Sequence, residues 1–217
     1  MLDNPIDQFI EWYKDAKKCA SIKHPEAMIL STINNGCPDS RVVLLKTIDN
    51  TGFIFFTNYE SSKGKDLEKN PNACMLFYWE KLKRQVRIRG TVERTQSTLI
   101  APLLNTFLKT TARIKKKINK KINISDSYFS QRQRESQIGA WASNQSQEIK
   151  GKDELEERIK RVEEKFKNKE IPRPPYWGGY RLIPTQIEFW EEKEFRLHER
   201  LLYTKDNNQW ETKVLSP

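Results

Sequence analysis

The chain has 217 residues, and 39 Lys plus Arg against 29 Asp plus Glu give a formal net charge of +10. That length suits one well-packed domain, and six Trp, seven Tyr and ten Phe exclude a disordered chain. No apolar run approaches the ~20 residues of a membrane span, and the N-terminus lacks the layout of a signal peptide. Three Cys without C-x-x-C spacing, together with two His, argue against a disulfide framework or a zinc site. We expect a reduced, soluble, cytoplasmic protein with no bound metal.

The first half of the chain predicts one helix followed by strands. Apolar residues at helical spacing predict a helix from Asp7 to Ala20. Apolar and alternating runs between turn signals predict strands at Met28–Leu30, Arg41–Lys46, Phe53–Thr57, Ala73–Trp79 and Gln85–Val92, with turns at Asn34–Gly36 and Asp49–Gly52.

Most of the excess positive charge falls in one segment of the chain. No acidic residue lies between Thr95 and Ser125, where seven cations occur: Lys109, Arg113, Lys115, Lys116, Lys117, Lys120 and Lys121. Without them the net charge falls to +3. The segment could contact RNA or an acidic lipid surface, but no aromatic residue is interleaved to stack on bases. We interpret it as a solvated insertion at about residues 100–125, and we expect neither a nucleic acid nor a membrane partner.

The second half is predicted to be helical and then to return to strands. One helix is expected to begin at Ser125–Ser127 and run towards Gly139, and another to span Asp153–Lys167. Strands follow at Tyr180–Leu182, Gln186–Glu191, Phe195–Thr204 and Trp210–Leu215. No linker divides the chain. Short strands joined by hairpins, with helices between them, predict an antiparallel barrel in a single α+β domain spanning residues 1–217.

One candidate site is the sequence from Arg196 to Arg200. In a strand, Arg196, His198 and Arg200 would share one face, because side chains two apart point the same way. Adjacent like charges repel, so the arrangement suits an anion or an electron-rich ligand. The alternative is a solvated strand face with nearby acids as partners. Apolar flanking residues indicate an ordered strand and favour the site.

A second candidate site is the set Tyr128, Arg132 and Ser136. Spacing of four would place them on one face of the predicted helix. A phenol, a guanidinium and a hydroxyl together suit a phosphate group. From spacing alone, an ordinary solvated helix face is an equally good interpretation.

A third candidate is the run from Arg41 to Lys46, followed by Lys63. The two cations bracket an apolar core, and their odd separation would put them on opposite faces of a regular strand. A ligand that touches both must therefore straddle the strand end or meet a bulge. No P-loop or Rossmann glycine motif is present.

Several motifs together identify a resemblance that covers nearly the whole chain. The C-terminal ones are Pro172–Arg181, Gln186–Trp190 and Arg196–Arg200, and the others are Arg41–Lys46, Phe77–Trp79, Arg84–Val86 and Ser136–Trp141. With these motifs the chain resembles the pyridoxine/pyridoxamine 5′-phosphate oxidase family. The resemblance implies an FMN-binding split β-barrel that works as a homodimer, with FMN at the subunit interface. It also implies oxidation of pyridoxine or pyridoxamine 5′-phosphate to pyridoxal 5′-phosphate, with O2 reduced to hydrogen peroxide.

The resemblance also implies roles for individual residues. FMN would be held by Arg41, Val42, Val43, Leu44, Leu45, Lys46, Phe56, Thr57, Lys63, Gln85, Gln145, Ser146, Trp190 and Arg200. The substrate phosphate would be held by Lys46, Tyr128, Arg132 and Ser136. Arg196 and His198 would be the catalytic pair, binding the substrate over its pyridine ring.

The departures from the pattern of this family include two positions at the proposed FMN site. Ser62 stands where an arginine is usual, and Phe56 where a tyrosine is usual. Two alternatives to the oxidase remain open. One is a related split-barrel flavin oxidase acting on another substrate, such as the phenazine-biosynthesis branch. The other is a protein of this fold that binds flavin, pyridoxal phosphate or RNA without turnover.

Overall fold

The computed structural model describes residues 2–95, 97–98 and 122–217. In this part of the chain the α-helices are α1 (Pro5–Lys18), α2 (Ser62–Lys69), α3 (Ile124–Ser130), α4 (Arg134–Ala142) and α5 (Lys152–Lys165). The strands are β1 (Ala27–Asn34), β2 (Cys37–Leu44), β3 (Thr47–Asp49), β4 (Gly52–Asn58), β5 (Asn72–Trp79), β6 (Arg84–Arg94), β7 (Ser97–Thr98), β8 (Ile122–Asn123), β9 (Trp177–Glu191), β10 (Glu199–Asp206) and β11 (Gln209–Val214). The cations of the predicted basic insertion lie outside the described residues.

Nine of the described strands form one sheet. Its order is β11-β10-β9-β6-β5-β1-β2, with β4 pairing to both β3 and β9. The pairs β1–β2, β5–β6, β9–β10 and β10–β11 are all antiparallel. At the β1–β2 hairpin, Asn35 and Gly36 have φ angles of 48° and 83°, as a type I′ turn requires. The predicted antiparallel α+β architecture is confirmed.

Residue contacts divide the described chain into two compact units. The larger comprises residues 1–55, 69–93 and 181–217, and the smaller comprises 56–68 and 94–180. In the larger unit α1 packs on the sheet through Phe9, whose ring lies 4.9 Å from Phe53 and 5.0 Å from Phe77. Trp12 makes an edge contact with Phe189 at 5.1 Å. These aromatic contacts fix the helix over the buried face of the sheet.

The start of α1 follows the rules for helix capping. Asn4 caps the helix by accepting a hydrogen bond from the amide of Ile6 at 2.9 Å, and Pro5 occupies the first turn. The predicted helix is confirmed, and it lies two residues closer to the N-terminus than expected.

In the smaller unit the helices enclose an aromatic core. Its buried members are Phe129, Ile138, Phe166, Ile171 and Trp177. Helix α5 has no fully buried residue and packs against this cluster through its partly buried apolar side. In the described part of the chain, we find no helix with the length and apolar character needed to cross a membrane.

The single helix expected between Ser125 and Gly139 is wrong, because two helices occupy this segment. Helix α3 begins after Asn123, whose side chain accepts from the Ser125 amide at 2.9 Å, and it ends at Ser130. Gln133 then has an extended conformation, with ψ of 142°, before α4 starts. The side chain of Gln137 donates to the carbonyl of Phe129 at 2.8 Å, which satisfies an acceptor near the break.

The C-terminal strands also differ from expectation. Two short strands were predicted between Tyr180 and Glu191, and the structure has one continuous strand, β9. The strand predicted from Phe195 begins only at Glu199. Phe195 and Arg196 have φ angles of 54° and 62°, in the left-handed region that a strand cannot contain.

A pair of glycine substitutions tests the packing of the sheet. A Cβ atom on Gly52 would lie 2.0 Å from the carbonyl oxygen of Leu182, whereas one on Gly139 meets nothing within 4 Å. We expect Gly52→Ala to lower the free energy of unfolding by about 2 kcal/mol, since backbone must move. Gly139→Ala, inside α4, should raise it by about 0.5–1 kcal/mol. Urea unfolding followed by circular dichroism measures both, and equal effects would contradict the argument.

Candidate functional site

A capped helix N-terminus lies in the smaller unit, at the start of α2. The fully buried hydroxyl of Ser61 donates to the carbonyl of Asn58 at 2.7 Å and accepts from the amide of Gly64 at 3.3 Å. Ser61 is therefore the N-cap of α2. The remaining amides of the first turn make this end of the helix a favourable place for an anion.

Three residues predicted to hold FMN converge at this helix end. The Lys63 ammonium donates to the hydroxyl of Ser61 at 3.4 Å and to the side-chain oxygen of Gln145 at 3.3 Å. The hydroxyl of Thr57 donates to the same Gln145 oxygen at 3.3 Å. Lys63 is only 9% exposed. The next predicted residue, Ser146, is exposed and has a φ of 68°. An ammonium, hydroxyls and helix amides together suit a phosphate group.

A second feature of the smaller unit is a set of three near-parallel rings, Phe56, Tyr128 and Trp177, which we call the aromatic shelf. The ring centroids of Phe56 and Tyr128 are 4.2 Å apart with an angle of 18°. Phe56 and Trp177 are 5.5 Å apart at 10°, and Tyr128 and Trp177 are 6.2 Å apart at 9°. At these distances the near-parallel rings are stacked on one another, and Arg132 lies against the Trp177 ring of the shelf.

The guanidinium of Arg132 lies over the Trp177 ring, 4.8 Å from its centroid. Its Nη1 atom is buried and has no hydrogen-bond partner among the described residues. Burial lowers the pKa of Arg132, and the neighbouring Tyr128 partly opposes this shift. Burying a cation without an acceptor is costly, so the arrangement suits an incoming anion.

The predicted helix face containing Tyr128, Arg132 and Ser136 is wrong in its geometry. Tyr128 belongs to α3, Arg132 lies in the turn that follows, and Ser136 is on α4. The structure still brings Tyr128 and Arg132 to one indole, while Ser136 is exposed on the second helix. The break between the helices, rather than a four-residue repeat, sets this arrangement.

In the larger unit, the run from Arg41 to Lys46 spans a strand end. Strand β2 stops at Leu44, and the Lys46 amide donates to the carbonyl of Ile54 at 2.9 Å. The Arg41 guanidinium folds onto β1, donating to the Thr32 hydroxyl at 2.6 Å, and it also pairs with Asp39. The strand predicted at Arg41–Lys46 is therefore displaced, because the observed strand begins four residues earlier, at Cys37, and ends two residues earlier, at Leu44.

Three predicted residues meet around the start of β10. Arg200 lies directly opposite Trp190 in the β9–β10 pairing. The His198 ring is 4.7 Å from the Trp190 ring, and its Nδ1 accepts from the amide of Lys193 at 3.3 Å. Gln85, also predicted, lies on β6, which neighbours β9 in the sheet.

The strand face predicted for Arg196, His198 and Arg200 is wrong. Arg196 closes a short 3₁₀ turn and His198 precedes β10, so only Arg200 is in a strand. The side chains of Arg196 and His198 therefore do not follow the two-residue alternation of a strand. The two consecutive left-handed residues at 195 and 196 cause the difference.

Sequence reasoning missed Glu188, whose carboxylate holds Arg200. One oxygen of Glu188 accepts from Arg200 Nε at 3.0 Å and from Nη2 at 2.9 Å, and the other pairs with Arg87. Arg200 Nη1 also donates to the carbonyl of Ser216 at 2.9 Å. Glu188 is 4% exposed. The available signal was an acidic residue between two apolar ones, Ile187 and Phe189, two residues before Trp190.

Comparison with protein families gives two matches along the chain. Residues 15–116 match the family described as pyridoxamine 5′-phosphate oxidase. Residues 177–217 match the region described as the pyridoxine 5′-phosphate oxidase C-terminal dimerisation region.

Curated relatives cover almost the whole chain. The pyridoxine/pyridoxamine 5′-phosphate oxidase of Psychromonas ingrahamii is 47% identical over 216 residues, which are 99% of this chain and 88% of that protein. The protein of the same name from Cyanothece sp. is 43% identical over 215 residues, covering 99% and 89% of the two chains.

Two solved structures share the fold. PhzG from Burkholderia lata 383, solved with tetrahydrophenazine-1-carboxylic acid, has a TM-score of 0.82 and 28% identity, covering 100% of this chain and 94% of its own. A pyridoxamine 5′-phosphate oxidase-related, FMN binding protein from Nostoc punctiforme has a TM-score of 0.69 with 17% identity and full coverage of both chains. The second likeness concerns the fold alone.

The buried position of Glu188 can be tested by neutralising its charge. We expect Glu188→Gln to lower the free energy of unfolding by about 2 kcal/mol, since two guanidinium groups lose their shared carboxylate. Glu199→Gln is the matched control, because Glu199 is a solvated residue of the same hairpin, and it should change stability by less than about 0.5 kcal/mol. Urea unfolding compares the two, and an effect of equal size would contradict the role of Glu188.

Proposed function

Because the chain belongs to the pyridoxine/pyridoxamine 5′-phosphate oxidase family, we propose that it is an FMN-dependent oxidase that makes pyridoxal 5′-phosphate. Its substrates are pyridoxine 5′-phosphate and pyridoxamine 5′-phosphate, and O2 is reduced to hydrogen peroxide. The observation that carries the proposal is Arg132, a half-buried arginine that lies over Trp177 of the aromatic shelf and whose buried Nη1 lacks a partner among the described residues. The phosphate of either vitamer supplies the anion that this arrangement suits.

The cofactor is FMN, and the residues at the start of α2 fit its phosphate. Lys63 supplies a buried cation, and the capped helix supplies amide donors. The other FMN residues predicted from the sequence complete the proposed set: Arg41, Val42, Val43, Leu44, Leu45, Lys46, Phe56, Thr57, Gln85, Gln145, Ser146, Trp190 and Arg200. Ser62 is exposed at the first position of α2, so this chain places one cation fewer beside the phosphate than the family usually does. Once held by these residues, FMN would supply the redox chemistry for oxidation of the substrate at C4′ and reduction of O2.

The protein contributes binding and orientation. Arg132, with Tyr128, Ser136 and Lys46, holds the substrate phosphate at one end. Arg196 and His198 act at the pyridine ring. Because His198 Nδ1 accepts from the Lys193 amide, the neutral imidazole carries its proton on Nε2 and can donate from that atom.

The protein acts as a homodimer with FMN at the subunit interface. The outer face of β1, β2 and β5 exposes a run of apolar side chains: Ile29 at 40%, Val42 at 68%, Leu44 at 38% and Tyr78 at 55%. Ile29 and Val42 are directly opposite in the β1–β2 pairing. An apolar patch on a sheet face is typical of an interface between subunits. The match of residues 177–217 to a dimerisation region supports the same conclusion.

The proposal is tested by separating the two half-reactions. The purified protein is loaded with FMN, oxygen is removed, pyridoxine 5′-phosphate is added, and the flavin absorbance is followed. We expect the yellow colour to bleach and to return when air is admitted, with one pyridoxal 5′-phosphate formed per flavin reduced. The same experiment with pyridoxamine 5′-phosphate tests the amine substrate.

If FMN binds and neither phosphorylated vitamer bleaches it, the substrate assignment is wrong. A related oxidase of another substrate, or a binding protein without turnover, would then replace it. The likeness to PhzG makes a tricyclic carboxylic acid the next substrate to try. The presence of Tyr128, Arg132 and Ser136, which in this family are the residues for a phosphorylated pyridine, favours the phosphorylated substrate.

The FMN site can be tested by removing the charge of Lys63. We expect Lys63→Met to weaken FMN binding by roughly 10- to 100-fold, the effect of losing a charge-assisted hydrogen bond to phosphate. Lys65→Met is the matched control, since Lys65 is exposed on the same helix, and it should change the Kd by less than about twofold. Titration of the apoprotein with FMN, followed by flavin fluorescence, measures both constants. Equal effects of the two substitutions would remove Lys63 from the site.

A further inference from the structure

Trp177 lies at the first position of β9 and is a buried member of the aromatic shelf. It is 7% exposed, its amide donates to the carbonyl of Pro174 at 3.1 Å, and its ring makes an edge contact with Phe129 at 5.1 Å. The indole is thus held both through the backbone and through the core of the smaller unit. It is a rigid surface on which another group can be placed.

The group placed on this surface is the guanidinium of Arg132. Its central carbon is 4.8 Å from the Trp177 centroid and 5.6 Å from the Phe129 centroid. An arginine side chain has several rotatable bonds, and contact with two fixed rings restricts where its planar end can lie. Arg132 lies in the turn between α3 and α4, so its side chain is not oriented by a helical backbone.

The chemistry of this contact differs from that of an ion pair. A carboxylate would hold a guanidinium by consuming its N–H donors, whereas an aromatic face attracts the cation and leaves the donors at the edge of the plane available. In agreement, Arg132 Nη1 is buried without a hydrogen-bond partner among the described residues. Burial also lowers the pKa of Arg132, which is the direction expected for a cation that still lacks an anion.

We propose that Trp177 is a positioning residue for the reaction, which holds Arg132 by its ring face so that the guanidinium edge is ready for the phosphate of the substrate. This inference rests on the proposed function. Trp177 acts through Arg132 and does not itself bind the phosphate. Tryptophan gives the strongest cation–π attraction of the aromatic side chains, so a smaller ring should hold Arg132 less well.

The same unit offers a matched control in Trp141. Its ring also belongs to the cluster and has a cation, Lys165, 4.7 Å from its centroid. Its indole nitrogen donates to the carbonyl of Pro172 at 2.8 Å. Trp141 is partly buried against the same cluster. Replacing either tryptophan by phenylalanine removes the same atoms, but of the two only Trp177 lies under Arg132.

The experiment measures binding of 4-deoxypyridoxine 5′-phosphate, which has a methyl group at C4 and so cannot donate the substrate's hydride. Titration calorimetry is performed on the FMN-loaded wild type, Trp177→Phe and Trp141→Phe. We expect Trp177→Phe to weaken binding about tenfold and Trp141→Phe to change it by less than about twofold, with FMN affinity the same in all three. In turnover, Trp177→Phe should raise KM for pyridoxine 5′-phosphate by a similar factor and change kcat much less.

A double-mutant cycle then shows whether Trp177 acts through Arg132. In the Arg132→Met background, Trp177→Phe should cause no further loss of affinity for the analogue. The inference would be overturned if the losses of affinity from Trp177→Phe and Arg132→Met were additive in the double variant. It would also be overturned if Trp177→Phe and Trp141→Phe weakened binding equally. Trp177 would then be a structural residue. If Trp177→Phe does not bind FMN, Trp177→Tyr is measured instead. We expect Trp177→Tyr to lose part of the affinity for the analogue. An affinity equal to that of the wild type would overturn the inference.

The inference and the proposed function fail in different ways. A wild-type protein that binds the analogue but does not oxidise either vitamer contradicts the oxidase, while the comparison of variants still decides the role of Trp177. A wild-type protein that does not bind the analogue overturns both.

Discussion

The close approach of β9 to its neighbours is the constraint on which the larger unit depends. A Cβ atom on Gly52 would lie 2.0 Å from the carbonyl oxygen of Leu182. A Cβ atom on Gly90 would lie 2.0 Å from the carbonyl oxygen of Ile183. Both glycines allow backbone to meet backbone without an intervening Cβ. With β9 fixed between β4, β6 and β10, its residues Glu188 and Trp190 come to lie beside β10 at defined register positions. The candidate site of this unit follows from that register.

Two arginines show two ways of holding a guanidinium. Arg200 is held by the carboxylate of Glu188 and the carbonyl of Ser216, which together engage all three of its nitrogens. Arg132 is held by an indole face, and its Nη1 is left with no partner among the described residues. In the first arrangement each nitrogen of the guanidinium is already engaged within the chain, which fixes its position. In the second arrangement Nη1 keeps a donor that a ligand can use.

Much of the fold could be predicted because local signals agreed with the tertiary structure. The Asn34–Gly36 sequence was sufficient to predict the β1–β2 turn, and the spacing of apolar residues was sufficient to predict α1. The failures lie where a conformation has no sequence signal. Phenylalanine and arginine have no particular preference for a left-handed backbone, so the turn at Phe195 and Arg196 was predicted as strand. The strand face expected for His198 was wrong for the same reason. The candidate residues came from motifs, whereas the contacts that Glu188 and Trp177 make with two of them, Arg200 and Arg132, are seen only in the structure.

The incomplete pairing of Arg132 couples the stability of the smaller unit to the composition of the solution. A buried donor without an acceptor is a cost borne by the folded chain, and an anion that binds there removes it. By mass action, such an anion stabilises the folded state in proportion to the logarithm of its concentration. If phosphate binds at Arg132 as proposed, the melting temperature of this protein will rise with phosphate concentration, and a phosphate buffer will not be an inert choice for storing or assaying it.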